Sequence, residues 1–193
     1  MFDQIFIFIL NTILGLFSLA LLLRFYIQLI NIPYHNPASN FLIAITDFLV
    51  LPISKFIPKL KGINLSTFLL AWLIQFILIA VKHKLYGNDP YSDIGTVIIN
   101  LISFAFLEII KTTLYIVIVV IIGKAIVSWI SPYSPASYLL SDLTRPLMKI
   151  FSKYIPYIPP IGNIDLSPLF ILIIIQLLLI ITTNLQQNIY QFF

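Results

Sequence analysis

The sequence predicts an all-α membrane protein made of two tandem repeats, and three observations carry that prediction. Hydrophobic residues fill 60% and charged residues 9% of 193 positions, with a mean hydropathy of +1.05, whereas a soluble domain is roughly one quarter charged. Four stretches, 5–30, 66–81, 112–130 and 167–181, are apolar over lengths near the ~20 residues that cross a hydrocarbon core. Residues 37–58 also align without a gap on residues 135–156, matching Pro37 with Pro135, Ser39 with Ser137, Thr46 with Thr144, Lys55 with Lys153 and Pro58 with Pro156. Apolar residues recur by chance in such a chain, but Pro, Ser, Thr and Lys do not keep register that way.

The duplication divides the chain into a first repeat over 1–85, a linker over 86–110 and a second repeat over 111–193. Each repeat is expected to hold a transmembrane helix, a short re-entrant or interfacial helix and a second transmembrane helix. The first span has Asp3 where a signal peptide would be basic, and it runs into Arg24-Phe25-Tyr26 without a small-residue cleavage pattern, so it reads as a retained helix. Arg24 near its end is placed to snorkel toward headgroups, with Phe25, Tyr26 and Tyr34 as an interfacial belt. Asn36-Pro37 is a helix-start signal, a capping side chain followed by a residue that lacks only a donor the first turn cannot use. The helix so started is almost wholly apolar over 41–51 apart from Thr46 and Asp47, which suits a re-entrant element too short to span. Pro52 and Pro58 should interrupt it, and Ser66, closing Ile63-Asn64-Leu65-Ser66, should cap the second span.

The linker contains an apolar helix with Thr96, Asn100 and Ser103 on one face and Glu108 and Lys111 at ion-pair spacing. No Gly or Pro separates it from the third span, and a continuous helix over 94–130 would be about 55 Å long, more than the bilayer. It is expected to lie at the interface, leaving four spans; the alternative is a fifth span.

The second repeat follows the same plan. Lys124 stands near the end of its first span, Trp129 and Tyr133 form a belt, and Ser134-Pro135 starts the short helix. In that helix Leu140, Leu143, Leu147 and Ile150 form one face, with Ser141, Asp142, Arg145 and Lys149 opposite, an amphipathic pattern suited to a membrane surface. Pro146 and Pro156 should set bends. Ser167 should cap the last span, with Asp165 placing negative charge near its N-terminus.

Charge sets an orientation. With four spans, Arg24, Lys55, Lys59, Lys61, Lys124, Arg145, Lys149 and Lys153 share the side of the repeat loops, leaving Lys82, Lys84 and Lys111 opposite. The bias places the loops in the cytoplasm and both termini outside. Asp47 and Arg145 are repeat-equivalent and opposite in charge, so a pseudo-twofold axis along the membrane normal would let them face each other.

Much chemistry is excluded. The chain has no cysteine and two histidines, His35 and His83, which fall on opposite sides of a four-span arrangement, so no metal or other cofactor is expected. No nucleophile elbow, zinc-protease motif or phosphate-binding Gly-rich loop occurs, and nothing pairs aromatic with basic residues for nucleic acid. Two non-enzymatic classes remain. Duplicated broken segments suit a small transport or ion-homeostasis protein. Amphipathic helices and a basic surface suit a scaffold or assembly factor that contacts membrane lipids, membrane-protein partners or further copies of itself.

The repeated pattern Asn36-Pro37, Thr46-Asp47, Pro52, Ile57-Pro58 and Ile63-Asn64-Leu65-Ser66 has a second copy in Ser134-Pro135, Thr144-Arg145-Pro146, Ile155-Pro156 and Ile164-Asp165-Leu166-Ser167-Pro168. Together with Ser128-Trp129 and Gly162, these motifs resemble the YggT (YlmG) family over nearly the whole chain. The first copy departs from the pattern, with Asn64 and Thr67 replacing the Asp and Pro and Phe48 standing opposite Pro146. The resemblance implies a multi-pass protein of the bacterial inner membrane. Relatives are linked to osmotic and potassium tolerance, to cell-division gene clusters and, in plastids, to cytochrome assembly and nucleoid distribution. It implies no single molecular activity.

Overall fold

Six helices make up the described part of a computed structural model, which covers residues 2–30, 37–57, 64–86, 94–154 and 167–190, without the side chains of 37, 38, 86, 150–154, 167 and 190. They are α1 (Phe2–Ile30), α2 (Pro37–Ser54), α3 (Leu65–Tyr86), α4 (Ile94–Ile130), α5 (Pro135–Tyr154) and α6 (Ser167–Tyr190). Four of them, α1, α3, α4 and α6, are long and apolar enough to cross a membrane. Each repeat contributes two of these and one shorter helix between them.

Helix contacts repeat with the sequence. In the first repeat α1 touches α2 and α3, and α2 touches α3; in the second, α4 touches α5 and α6, and α5 touches α6. The halves join where α4 meets α3 and α1, and where α1 meets α5. One end of the bundle collects both short helices: the Tyr26 hydroxyl donates to the Leu143 carbonyl at 2.9 Å, Phe25 packs on Phe68, and Leu147 and Met148 pack against the α4 and α6 cluster that includes Ile121 and Ile171. Asn11 meets Lys82, and Lys111 meets Gln186, toward the other end. The helices thus alternate in direction, and the two repeat units point the same way.

The core is a set of interlocked aliphatic stripes. Leu21, Ile27, Val50, Ala71, Leu78, Ile109, Val120 and Leu143 are buried in one cluster that draws on both repeats, and Val117, Ile121, Ile171, Ile175 and Leu179 form a second. The outward faces are also apolar, with Phe8, Ile13, Leu16, Ile173 and Leu177 exposed. In hydrocarbon such a surface costs nothing, so packing and internal hydrogen bonds hold the helices together in place of water exclusion. Ser18 illustrates this: fully buried, it accepts from Gln75 Nε2 at 3.3 Å and tethers α1 to α3.

The linker segment is the first half of α4, one uninterrupted helix 37 residues long. Leu101, Ala105 and Ile109 are buried along it, and Ile102, Ser103, Phe106 and Leu107 share a cleft with Trp72 of α3. Helix propensity without a breaker carries it straight into the span, and packing against α3 covers its inner face.

Both short helices begin where the proline signals placed them, at Pro37 and Pro135. Ser134 caps the second, its Oγ accepting from the Ser137 amide at 3.2 Å. The two helices bury the same positions, Ser39 and Thr46 in α2 and Ser137 and Thr144 in α5. Opposite faces diverge. In α2 it is apolar, exposing Phe41, Phe48 and Leu51, whereas α5 exposes Asp142, Arg145 and Lys149.

Several expectations are corrected. Pro52 and Pro146 do not interrupt their helices, which continue to Ser54 and Tyr154; each removes only its bond to the carbonyl four residues earlier, a local loss that tertiary packing tolerates. The cap of α3 is Asn64, not Ser66. Asn64 Oδ1 accepts from the Ser66 amide at 3.1 Å, and its carbonyl accepts from Thr67 Oγ1 at 2.8 Å, because the helix already starts at Leu65, ahead of the start that a Ser66 cap would give. The Ser66 hydroxyl is buried without a hydrogen bond. The Asn64→Ala variant should therefore lower unfolding stability in mixed micelles by about 1 kcal/mol, and Ser66→Ala by distinctly less.

Candidate functional site

A charged α1 side chain reaches inward at the end that holds the short helices. Arg24 is 8% exposed, so it does not snorkel to headgroups as expected. Its Nη1 donates to Thr46 Oγ1 at 2.6 Å and lies 2.8 Å from Asp47 Oδ1. Thr46, with no exposed surface, donates a hydrogen bond from its own hydroxyl back to the Leu42 carbonyl at 2.5 Å. Arg24, Thr46 and Asp47, picked out separately from the sequence, thus form one unit that pins α2 to α1. Asp47 is spoken for by Arg24, and the expected pairing across the repeats with Arg145 is not made. Opposite charge on the neighbouring span is nearer than the repeat mate, and it decides the partner.

The second repeat keeps the threonine and changes the charges. Thr144 is also fully buried and donates to the Leu140 carbonyl at 2.9 Å. Lys124 and Arg145 instead line an open cleft between α4 and α5, and neither makes an ion pair with a described residue. Trp129 is 81% exposed beyond the cleft, as an interfacial residue would be. The first repeat's aromatics are used differently: Phe25 and Tyr26 pack between elements. Pro168 sits half-buried in the first turn of α6. Asn36, Pro156, Gly162 and Asp165 lie outside the described residues, as do the side chains of Pro37 and Ser167.

Toward the other end is a polar cavity of about 380 Å³ among α1, α3, α4 and α6, which the sequence did not disclose. Its lining includes Asn11, Gln75, Lys82, Glu108, Lys111 and Gln186. Gln186 is buried and bridges two charges, donating from Nε2 to Glu108 Oε2 at 2.7 Å and accepting from Lys111 Nζ at 3.4 Å. Glu108 and Lys111 are 3.8 Å apart along α4, which meets the expected spacing. On the other wall Lys82 Nζ donates to Asn11 Oδ1 at 2.9 Å. Ionisable residues within spanning helices face a partner or a cavity because lipid cannot solvate them, and here they do both. The signals that could have found the site are Asn11, Gln75 and Gln186, amides inside apolar helices. Among the described residues no three His, Cys, Asp or Glu side chains converge on a metal-sized site.

The cavity can bind and orient a small charged or polar solute. It has two lysines and His83 against one glutamate, with the Thr112 hydroxyl and several amide groups that both donate and accept. Replacing Gln186 by Leu would strip hydrogen bonds from two charged partners at once. Gln186→Leu should lower stability in mixed micelles by about 1–3 kcal/mol, while Gln187→Ala, at an exposed position of the same helix, should be near neutral.

Comparison with known proteins places this architecture. The sequence model of the CCB3/YggT family matches residues 4–85 and again 103–186, so each match spans one set of three helices. An uncharacterised protein of Pseudomonas aeruginosa is 32% identical over 180 residues, covering 92% of this chain and 88% of that protein. The uncharacterised protein YggT of Escherichia coli K12 is 28% identical over 172 residues, covering 89% and 85%. An uncharacterised protein of Vibrio alginolyticus is 28% identical over 170 residues, covering 88% of each. No solved structure matches the chain.

Proposed function

Since the chain belongs to the CCB3/YggT family and has four helices long and apolar enough to span a membrane, we propose that it is a non-enzymatic protein of the bacterial inner membrane that serves ion or osmotic homeostasis as a small transport-related protein. The observation that carries this reading is the polar cavity lined by the four spanning helices, with Glu108, Lys111 and Lys82 in its walls. Holding such groups among apolar helices costs stability unless they meet a solute or one another. The duplicated three-helix plan supports it too, because transporters build their sites between repeats. The distribution of Lys and Arg supports a cytoplasmic location for the α2 and α5 end and an external one for both termini.

A second reading rests on a separate observation. The exposed basic face of α5 suits a scaffold or assembly factor in cell division or membrane-complex biogenesis, presenting a surface to lipids, partner membrane proteins or further copies of the chain.

Flux of potassium and of chloride in proteoliposomes separates the two. Transport predicts flux above protein-free liposomes for one of them. Glu108→Gln and Lys111→Met should each reduce that flux on the order of tenfold, the scale of losing a hydrogen bond to a charged group, with the exposed Lys55→Ala unchanged. Liposomes no leakier with protein than without, for either ion, would contradict the transport reading and favour the scaffold.

A further inference from the structure

The residue after the buried threonine carries opposite charge in the two repeats, Asp47 in the first and Arg145 in the second. In the first, a span-end cation meets a carboxylate on the residue after the buried threonine: Arg24 with Asp47, beside Thr46. In the second, the span-end cation is Lys124, the buried threonine is Thr144, and the residue after it is Arg145. The internal anion has been replaced by a second cation. The resulting cleft, about 520 Å³, is lined by Lys124, Ser141, Asp142, Arg145, Met148 and Lys149, so three cationic side chains face one carboxylate. Neither Lys124 nor Arg145 finds an ion-pair partner among the described residues.

We infer that this cleft binds the phosphate group of an anionic phospholipid, with Lys124 and Arg145 as its principal ligands and the Ser141 hydroxyl within the same lining as a neutral donor. The first repeat carries its own anion on α2; the second takes one from the membrane. Three features of the structure select a lipid over a free anion. The cleft opens outward at the end of the spans, where Trp129 and Tyr133 are exposed as interfacial aromatics. The α4 stretch around Lys124 leaves Ile122 and Ile126 exposed, apolar surface that acyl chains can cover. Met148 contributes an apolar wall to the cleft itself. Arginine is suited to the task because its planar fork matches a phosphate with two parallel hydrogen bonds. The cleft shares no lining residue with the polar cavity, and a lipid bound there requires no transport activity.

The test uses the full chain purified in neutral detergent, with titration of phosphatidylglycerol, phosphatidylcholine and inorganic phosphate, bound molecules being counted by native mass spectrometry. Arg145→Asp installs the residue type that the first repeat has at this position, so the fold should accept it; Lys124→Gln provides a second, independent variant. Lys55→Asp, an exposed residue at the same end with the same change of charge, controls for general attraction. Phosphatidylglycerol should bind more tightly than phosphatidylcholine. Its affinity should fall on the order of tenfold in Arg145→Asp and several-fold in Lys124→Gln, while Lys55→Asp stays near the original protein, since each basic residue adds a comparable increment to anionic-lipid binding only where it reaches the headgroup. Equal losses in Arg145→Asp and Lys55→Asp would overturn the site. Full displacement of phosphatidylglycerol by inorganic phosphate at equal concentration would overturn the lipid as its source.

Discussion

A guanidinium shut away from water inside an apolar bundle must be met by polar groups of the protein, and in this chain Arg24 is met by α2. Its Nη1 contacts both Thr46 and Asp47, so a helix too short to span is held against the first spanning helix by a charge. The arrangement is not free of cost. Arg24 Nε has no hydrogen-bond partner, and the Asp47 side chain remains one-third exposed. Removing either partner would leave the other charge in a place built for two. The position of α2, with its apolar face turned outward through Phe41, Phe48 and Leu51, follows from that attachment.

The second repeat shows which part of the device is architectural. Thr144 is as deeply buried as Thr46 and bonds back to its own helix in the same way, so the threonine belongs to the shared scaffold. The charges beside it do not. With Arg145 in place of Asp47, α5 is held by aliphatic contacts, by the Tyr26 bond to the Leu143 carbonyl and by packing on α6. One repeat is consequently closed and greasy, the other open and basic. The opposite end of the bundle joins them, because Gln186 of the second repeat and Asn11, Gln75 and Lys82 of the first line the same cavity.

Features carried by local pattern are legible in the sequence. Pro37 and Pro135 start helices, the polar and apolar faces of α5 follow from its periodicity, and the apolar runs become spanning helices. The direction and partnership of side chains are not. A span-end arginine such as Arg24 usually can snorkel; whether it turns inward depends on Thr46 and Asp47, 22 and more residues away. Ser66 is a reasonable cap by residue type, but α3 already begins at Leu65, which gives the role to Asn64. The cavity is hidden for a similar reason: Glu108 and Lys111 show helical spacing on their own, while Gln186, the residue that joins them, is 78 positions from Glu108. Long-range polar contacts of this kind leave no periodic trace.

The most direct measurement is a double-mutant cycle on Arg24 and Asp47, using Arg24→Gln, Asp47→Asn and the combination, with reversible unfolding followed in mixed micelles. If the pair fastens α2 to α1, the single changes are not additive, and the cycle returns a coupling of about 1 kcal/mol or more. Additivity within about 0.3–0.5 kcal/mol would mean that the two charges are merely neighbours, and the account of the first repeat as a charge-closed unit would not stand.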